Sequence, residues 1–264
     1  MPKIPEAELG KIARSLDAAT LEAKPIEFLS KNRPELTLDE AYRIQEITIR
    51  YRMTRGERML GMKMGYTDQS KLKASGLAAP TYGVLMDTMQ ISEGMTFSLK
   101  GKIHPRIEPE IAFVLGKDLE GALSPAQALQ ACSGVCAAFE IVDSRYTNYE
   151  GITPIDGVAD NGSASGFVLG TIMRRPDKGD VSNLGVAFEV NGKMIGFASS
   201  AASLGHPARS LSELSRVMAA KGQVLKAGSI ILSGGLLPSV PLNNGDKVRA
   251  LVQNLASVSI SVGD

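Results

Sequence analysis

The sequence predicts an α+β protein in which a helical N-terminal region packs on a mixed, mostly antiparallel, β-rich body. Apolar residues recur at helical spacing in the first quarter of the chain, and short apolar runs separated by Gly, Asn, Asp and Pro follow beyond Gly56. No repeat with the period of a solenoid is present. We therefore expect an N-terminal helical region over residues 1–75 and a β-rich domain over residues 76–264.

The helical region is expected to contain two main helices. Residues 6–19 place their apolar side chains on one face, which indicates a first and weaker helix. The second helix begins after Thr37, because Thr37 and Glu40 have the spacing of a capping box, in which each side chain accepts a backbone N–H of the other residue. Its apolar positions recur at spacings of three and four up to about Thr54.

The rest of the chain predicts strands connected by turns and two further helices. Asn191 and Gly192 form a two-residue hairpin signal between apolar runs, since both central positions of such a turn need a positive φ. Helices are expected after Ser124, which is followed by proline at the first helical position, and from Pro207. The predicted strands are residues 108–115, 138–143, 166–169, 186–190, 229–233, 247–253 and 257–262.

Composition excludes several classes of protein. The 264 residues include 29 Lys and Arg against 28 Asp and Glu, and this net charge of +1 argues against a nucleic-acid or anionic-membrane partner. No apolar run is long enough to span a bilayer. Cys132 and Cys136, placed one helical turn apart in the helix capped by Ser124, are too few for a disulfide framework and are expected to be packed thiols. We therefore expect a cytoplasmic protein.

Three glutamates fall in strands that are otherwise apolar. Side chains alternate between the two faces of a strand, so Glu108 and Glu110 share a face that becomes apolar towards Val114. Glu140 shares its face of the next strand with Ala138 and Val142. A rim exposed to solvent is the ordinary explanation for such a pair of glutamates. The presence of three glutamates in apolar strands favours a different explanation, because buried carboxylates on one face repel each other.

A divalent cation would resolve this repulsion. Carboxylate oxygens suit Mg²⁺, Mn²⁺ or Ca²⁺, whereas Zn²⁺ prefers His and Cys. Such an ion would keep open positions for a bidentate substrate such as an α-keto acid. His104 and Arg106 share the face of Glu108 and are candidates for a fourth ligand and an anion-binding group, but placement at the surface is the preferred interpretation.

With these residues the chain resembles the hydratase/decarboxylase branch of the fumarylacetoacetate hydrolase superfamily, which works in bacterial meta-cleavage of aromatic compounds. Seven motifs carry the resemblance, in the family's order: residues 61–67, 80–85, 105–114, 139–145, 159–163, 204–207 and 228–235. The resemblance implies that the domain over residues 76–264 is the catalytic domain. It also implies a homo-oligomer, associated in some members with the pathway hydratase.

The resemblance also implies roles for particular residues. Glu108, Glu110 and Glu140 would hold Mg²⁺ or Mn²⁺, which agrees with the burial argument, and Lys63 would be the active-site lysine. The residues expected to bind the substrate, a small 2-oxo dicarboxylic acid, belong to a loop and to a Ser-Gly-Gly turn: Asn161, Ser163, Gly234 and Gly235. From the sequence alone, Lys63 would be taken for an ordinary surface lysine.

Two reactions of the branch are compatible with this resemblance. One is decarboxylation of 2-oxo-3-hexenedioate (4-oxalocrotonate) to 2-hydroxypenta-2,4-dienoate, and the other is hydration of that dienoate. Pro109 and the uncharged Thr81 favour the decarboxylase, because the hydratases tend to have Ala and Asp there, and addition of water needs an additional acid/base group. A non-catalytic partner of another pathway enzyme is the third alternative.

Overall fold

The computed structural model describes residues 4–176 and 179–264. Over these residues the chain forms seven α-helices: α1 (Glu6–Glu22), α2 (Leu29–Asn32), α3 (Leu38–Thr54), α4 (Gln69–Ala74), α5 (Pro125–Gln130), α6 (Pro154–Ala159) and α7 (Ala208–Ala220). It also forms thirteen strands: β1 (Met59–Gly65), β2 (Thr81–Met86), β3 (Gln90–Ile91), β4 (Thr96–Ser98), β5 (Arg106–Leu115), β6 (Cys132–Val142), β7 (Ala164–Leu169), β8 (Gly185–Val190), β9 (Lys193–Ser199), β10 (Ile230–Leu232), β11 (Val240–Pro241), β12 (Lys247–Val252) and β13 (Ala256–Gly263).

The strands form two sheets. The larger one has eight strands in the order β2-β1-β10-β5-β6-β7-β3, with β11 paired to the first residues of β5, and the smaller one has the order β4-β13-β12-β8-β9. The pairs β1–β10, β3–β7 and β4–β13 are parallel, and the other described pairs are antiparallel. The predicted α+β class with a mixed, mostly antiparallel body is confirmed.

Two buried clusters of apolar side chains hold these elements together. The larger one lies where the sheets meet, and there the rings of Phe139 on β6 and Phe188 on β8 approach to 5.9 Å. The smaller cluster joins α1 and α3 to the segment after β6, where Phe28 packs against the fully buried Tyr146. The N-terminal helices therefore rest on the same segment that follows the predicted metal-binding strand.

Most of the predicted elements are present with small shifts of their ends. The capping box of Thr37 and Glu40 opens α3, and Asn191 and Gly192 both have positive φ, of 56° and 73°, in the hairpin between β8 and β9. All seven predicted strands are present. The strands β1 and β2 were not expected. The sequence of β1 contains two glycines and no β-branched residue, which makes its strand pattern weak.

The expected position of the two cysteines in a helix is wrong. The helix α5 does begin after Ser124 but ends at Gln130, and Cys132 and Cys136 both lie in β6. The reason is that β6 pairs with β5 along its length, and these backbone hydrogen bonds outweigh a weak helical pattern. Both thiols are free, with Cys136 buried and Cys132 partly buried, so the expectation of packed thiols is confirmed.

The lysine-bearing strand β1 lies inside the larger sheet, between β2 and β10. The division of the chain at residue 75 stays a prediction.

Among the residues that the structure describes, no helix combines the length and the apolar character needed to cross a membrane.

We predict that Cys132 and Cys136 react very slowly with Ellman's reagent in the native protein. Burial raises the pKa of both thiols to about 12, so at pH 8 only about one molecule in 10⁴ carries the reactive thiolate. The measurement is the release of thionitrobenzoate at pH 8, and protein unfolded in guanidinium is the control, with two thiols expected. Rapid stoichiometric labelling of the native protein would contradict this placement.

Candidate metal centre and active site

Three carboxylates converge on one face of the larger sheet. Glu108 on β5 lies directly opposite Glu140 on β6, and Glu110 follows on the same face of β5. One carboxylate oxygen from each residue can be chosen so that all three atoms lie within 4.8 Å of one another. Glu110 and Glu140 are fully buried, whereas Glu108 is partly exposed. The structure therefore brings together the three glutamates that the sequence predicted as one site.

The convergence is electrostatically unfavourable for the protein alone. Burial raises the pKa of Glu108 to about 7, that of Glu110 well above its ordinary value, and that of Glu140 in the same direction. The charge of Glu140 adds to the effect of burial on Glu108 and Glu110. A site of this kind gains stability from any cation that neutralises it.

The donor set fits a hard divalent cation. Among the described residues, Oε1 of Glu110 is buried without a hydrogen-bond partner, although buried carboxylate oxygens normally have one. The cluster consists of carboxylate oxygens, which are ligands that Mg²⁺ and Mn²⁺ prefer. Glu108, Glu110 and Glu140 could therefore hold such an ion and leave further coordination positions for a substrate.

Lys63 projects from β1 into the same site. Its ammonium Nζ lies 3.0 Å from Oε1 and 3.2 Å from Oε2 of Glu140 and donates a hydrogen bond to Oε2, although β10 and β5 separate the two strands in the sheet. Burial alone would lower the pKa of Lys63, but the charges of Glu140 and Glu108 raise it above its ordinary value. Lys63 is thus a buried cation at neutral pH and not the surface residue that its type suggests.

Two glycines make room for the Lys63 side chain. A Cβ atom on Gly162 would lie 2.4 Å from Cε and 2.7 Å from Nζ of Lys63, and a Cβ atom on Gly83 would lie 3.1 Å from Cε. Gly162 also has a positive φ of 59°. Sequence reasoning missed both contacts, and a glycine inside the strand β2 is the signal that would have indicated a close approach at Gly83.

The loop after α6 is bound to the protein through its side chains. Asn161 accepts a hydrogen bond from the backbone N–H of Val84 (2.7 Å) and donates one to the carbonyl oxygen of Val84 (2.9 Å). The hydroxyl of Ser163 donates to Asp160, which in turn pairs with the buried guanidinium of Arg145. These side chains fix the loop in place, so a contact of Asn161 or Ser163 with substrate, which stays a prediction, would use the backbone.

The Ser-Gly-Gly turn packs against the carboxylates. The backbone N–H of Gly234 donates to Oε2 of Glu110 at 2.7 Å, and a Cβ atom on Gly235 would lie 2.7 Å from the carboxylate of Glu108. Gly234 has a φ of 103°, and a Cβ atom there would collide with Thr67. The N–H that the sequence assigned to a substrate carboxylate therefore binds a protein carboxylate, while the role of Gly235 towards substrate stays a prediction.

His104 and Arg106, for which the sequence favoured a place at the surface over a role in the site, are partly buried beside Tyr149. Arg106, on the same face of β5 as Glu108, stacks on Tyr149, and the ring of His104 packs edge-on against the same tyrosine. Tyr66 follows β1 with a φ of 56°, a conformation that costs a residue with a side chain about 1 kcal/mol. Burial raises the pKa of Tyr66, and the positive charge of Lys63 opposes this rise.

Comparison with known proteins decides the family of this chain. Residues 69–262 match the family model described as fumarylacetoacetate (FAA) hydrolase C-terminal, which is more than half of the chain. The chain belongs to the fumarylacetoacetate hydrolase family. Within the family, the chain is 41% identical over 254 residues to a 4-oxalocrotonate decarboxylase of a Pseudomonas species, covering 96% of this chain and 98% of that one.

Other members of the family are also similar over most of their length. A 2-hydroxyhexa-2,4-dienoate hydratase of Comamonas testosteroni is 37% identical over 90% of this chain and 91% of its own. A solved structure of 4-oxalocrotonate decarboxylase from Pseudomonas putida G7, complexed with magnesium and adipate, gives a TM-score of 0.95 at 32% identity, covering 99% of this chain and 100% of that one. The fold of this chain is thus the fold of that family member.

We predict that Glu110→Gln weakens binding of Mn²⁺ at least about tenfold, because it removes one ligand oxygen of the cluster. In the absence of metal, the variant should unfold at the same temperature as the metal-free wild type or at a higher one, because a neutral amide replaces a buried carboxylate. The measurements are calorimetric titration with Mn²⁺ and thermal unfolding in EDTA. Glu120→Gln, at an exposed position, is the control and should bind as the wild type does. Unchanged affinity in Glu110→Gln would remove Glu110 from the centre.

Proposed function

We propose that this protein is a divalent-metal-dependent decarboxylase that converts 4-oxalocrotonate (2-oxo-3-hexenedioate) to 2-hydroxypenta-2,4-dienoate and CO₂. The observation that carries the proposal is the convergence of three carboxylates, two of them fully buried, on a buried lysine, in a chain that matches a 4-oxalocrotonate decarboxylase almost end to end. Degradation of aromatic compounds by meta-cleavage is the setting that this activity implies.

Glu108, Glu110 and Glu140 would hold Mg²⁺ or Mn²⁺ in this enzyme. The bound ion supplies a Lewis acid that draws electron density towards the 2-oxo group of the substrate. The protein limits the access of water to this region, because the face that carries Glu110 and Glu140 is otherwise buried and apolar at Ala112, Ala138 and Phe167. Exclusion of water strengthens the electrostatic interactions inside the site.

The reaction needs a place for one electron pair. The bond between C5 and C6 of the substrate breaks, C6 leaves as CO₂, and the electron pair moves through C4 and C3 to the oxygen on C2. That oxygen becomes negative during the reaction and is protonated at the end. A fixed positive charge beside this oxygen stabilises the transition state, in which the oxygen is becoming negative, more than it stabilises the neutral ketone. It therefore lowers the barrier.

Lys63 is the residue to which we assign that charge. Its ammonium is buried, and Glu140 holds it at 3.0 Å on the side of the carboxylates. Because its pKa is raised, Lys63 carries a proton at neutral pH and is the donor that we assign to the oxygen on C2. Asn161 and Ser163 hold the loop against which Lys63 rests, and the backbone N–H of Gly235 is the group of the turn left for a substrate carboxylate.

We also propose that the protein acts in the cytoplasm as a homo-oligomer and associates with the hydratase of its pathway. Two free thiols lying four residues apart in one strand support a reducing compartment. The family resemblance supports the assembly. Size-exclusion chromatography with light scattering, with and without the hydratase, tests it.

We predict that the purified protein releases CO₂ from 2-oxo-3-hexenedioate with Mg²⁺ and loses this activity in excess EDTA. The measurement is coupled detection of CO₂ together with the absorbance of the substrate, and re-addition of Mg²⁺ is the control for damage by the chelator. Consumption of 2-hydroxypenta-2,4-dienoate to 4-hydroxy-2-oxopentanoate, without CO₂ release, would instead make the chain a hydratase, as several relatives are named. Metal binding without turnover of either compound would favour the non-catalytic partner.

We predict that Gly162→Ala lowers turnover at least about tenfold, because the new methyl group displaces the Lys63 ammonium from Glu140. Gly76→Ala is the matched control. Gly76 also has a positive φ, of 71°, but nothing lies within 4 Å of its added Cβ atom. Both variants should lose about 1 kcal/mol of stability in urea unfolding, and only Gly162→Ala should lose activity. Equal activity of the two variants would contradict the proposed placement of Lys63.

A further inference from the structure

Arg106 is a fixed cation at the edge of the metal centre. Its Nε donates to the hydroxyl of Ser239 at 3.0 Å and its Nη2 to the carbonyl oxygen of Ser239 at 2.6 Å, while the guanidinium lies 4.6 Å from the ring centre of Tyr149. Tyr149 is itself held by a contact of 3.2 Å between its hydroxyl and that of Ser239, and by the ring of His104. The guanidinium is therefore held in place on two sides.

The remaining edge of this guanidinium has no acidic partner. Among residues 4–176 and 179–264, no carboxylate forms an ion pair with Arg106, and Nη1 takes part in no hydrogen bond. Arginine is a bidentate donor whose fork matches the two oxygens of a carboxylate. A half-buried arginine that is held in position and left without an anion is a ready-made carboxylate site.

The charges of the metal centre leave a need for such a site. The three glutamates carry three negative charges, and Lys63 together with a divalent cation would neutralise them. A dicarboxylic substrate brings two more negative charges, so its second carboxylate finds no counter-charge within the centre itself. Arg106 lies two residues before Glu108 on the same face of β5, so its side chain leaves the strand on the side of the metal centre.

The spacing also fits a six-carbon acid. Arg106 and Glu108 are two residues apart on one face of β5, a separation of about 6–7 Å along the strand. An extended chain of six carbon atoms covers about the same distance between its two carboxyl carbons. A substrate that lies along β5 with its first carboxylate and 2-oxo group at the metal centre would direct its far carboxylate towards Arg106, whose backbone lies that far from the backbone of Glu108.

We propose that Arg106, held by Tyr149 and Ser239, binds the far carboxylate of a dicarboxylic substrate and so selects dicarboxylic over monocarboxylic 2-oxo acids. This inference rests on the proposed function, because it assumes that the substrate enters the metal centre by its 2-oxo acid end. Arg106 is a specificity residue in this role, and the bond that breaks lies next to the carboxylate it holds.

The test compares two stable ligands that differ only in the far carboxylate. 2-Oxoadipate and 2-oxohexanoate are titrated calorimetrically into the Mg²⁺-loaded wild type, Arg106→Gln, Arg106→Lys and Arg249→Gln. Arg249 lies on β12 of the smaller sheet and serves as the control for loss of one arginine charge. Thermal unfolding shows whether each variant is folded, and Arg106→Lys provides a second variant that keeps the charge but loses the fork.

The wild type and Arg249→Gln should bind 2-oxoadipate at least about tenfold more tightly than 2-oxohexanoate. Arg106→Gln should lose this preference through weaker binding of 2-oxoadipate alone, and Arg106→Lys should retain part of it. Equal weakening for both ligands would show a merely structural role and overturn the inference, as would an unchanged preference. Wild-type protein that shows the preference but releases no CO₂ would refute the proposed decarboxylation and leave the role of Arg106 standing.

Discussion

The convergence of three like charges at one point, two of them fully buried, is the constraint on which the rest of the structure depends. Cross-strand pairing places Glu108 opposite Glu140, and alternation puts Glu110 on the same face, so backbone hydrogen bonds force the carboxylates together. The protein itself offsets part of this repulsion, through the ammonium group of Lys63 and the backbone N–H of Gly234. The remainder is left for a metal ion, and the unpartnered Oε1 of Glu110 marks where the protein's own compensation ends.

Much of this centre follows from local rules. The carboxylates were found from alternation and from the cost of burying charge, both of which act within ten residues of sequence. Lys63 was recognised only through resemblance to a family, because β1 has a weak strand pattern and lysine is rarely buried. Its partner Glu140 is 77 residues away, and the sheet order that joins them is not encoded in either segment.

The mouth of the site was harder to predict for the same reason. Ser239 reaches Arg106 across 133 residues and Tyr149 across 90, so the interpretation of Arg106 as a surface residue was the natural one. The misplaced cysteines are the opposite case, since a plausible local helix lost to a long ladder with β5. In both cases, pairing between distant segments decides what a side chain contacts, and that pairing cannot be predicted from the spacing of residues along the sequence.

The side-chain amide of Asn161 forms two hydrogen bonds with the backbone of Val84. A neighbouring strand would form the same pair of bonds at this edge of the sheet, where β2 lies. The loop that contacts Lys63 is thereby attached to the sheet as a further strand would be. Its dipoles and the neighbouring ammonium are preorganised before any substrate arrives, so little reorganisation energy is spent when charge develops. In an enzyme built this way, the charges around the reacting centre are held by the sheet itself.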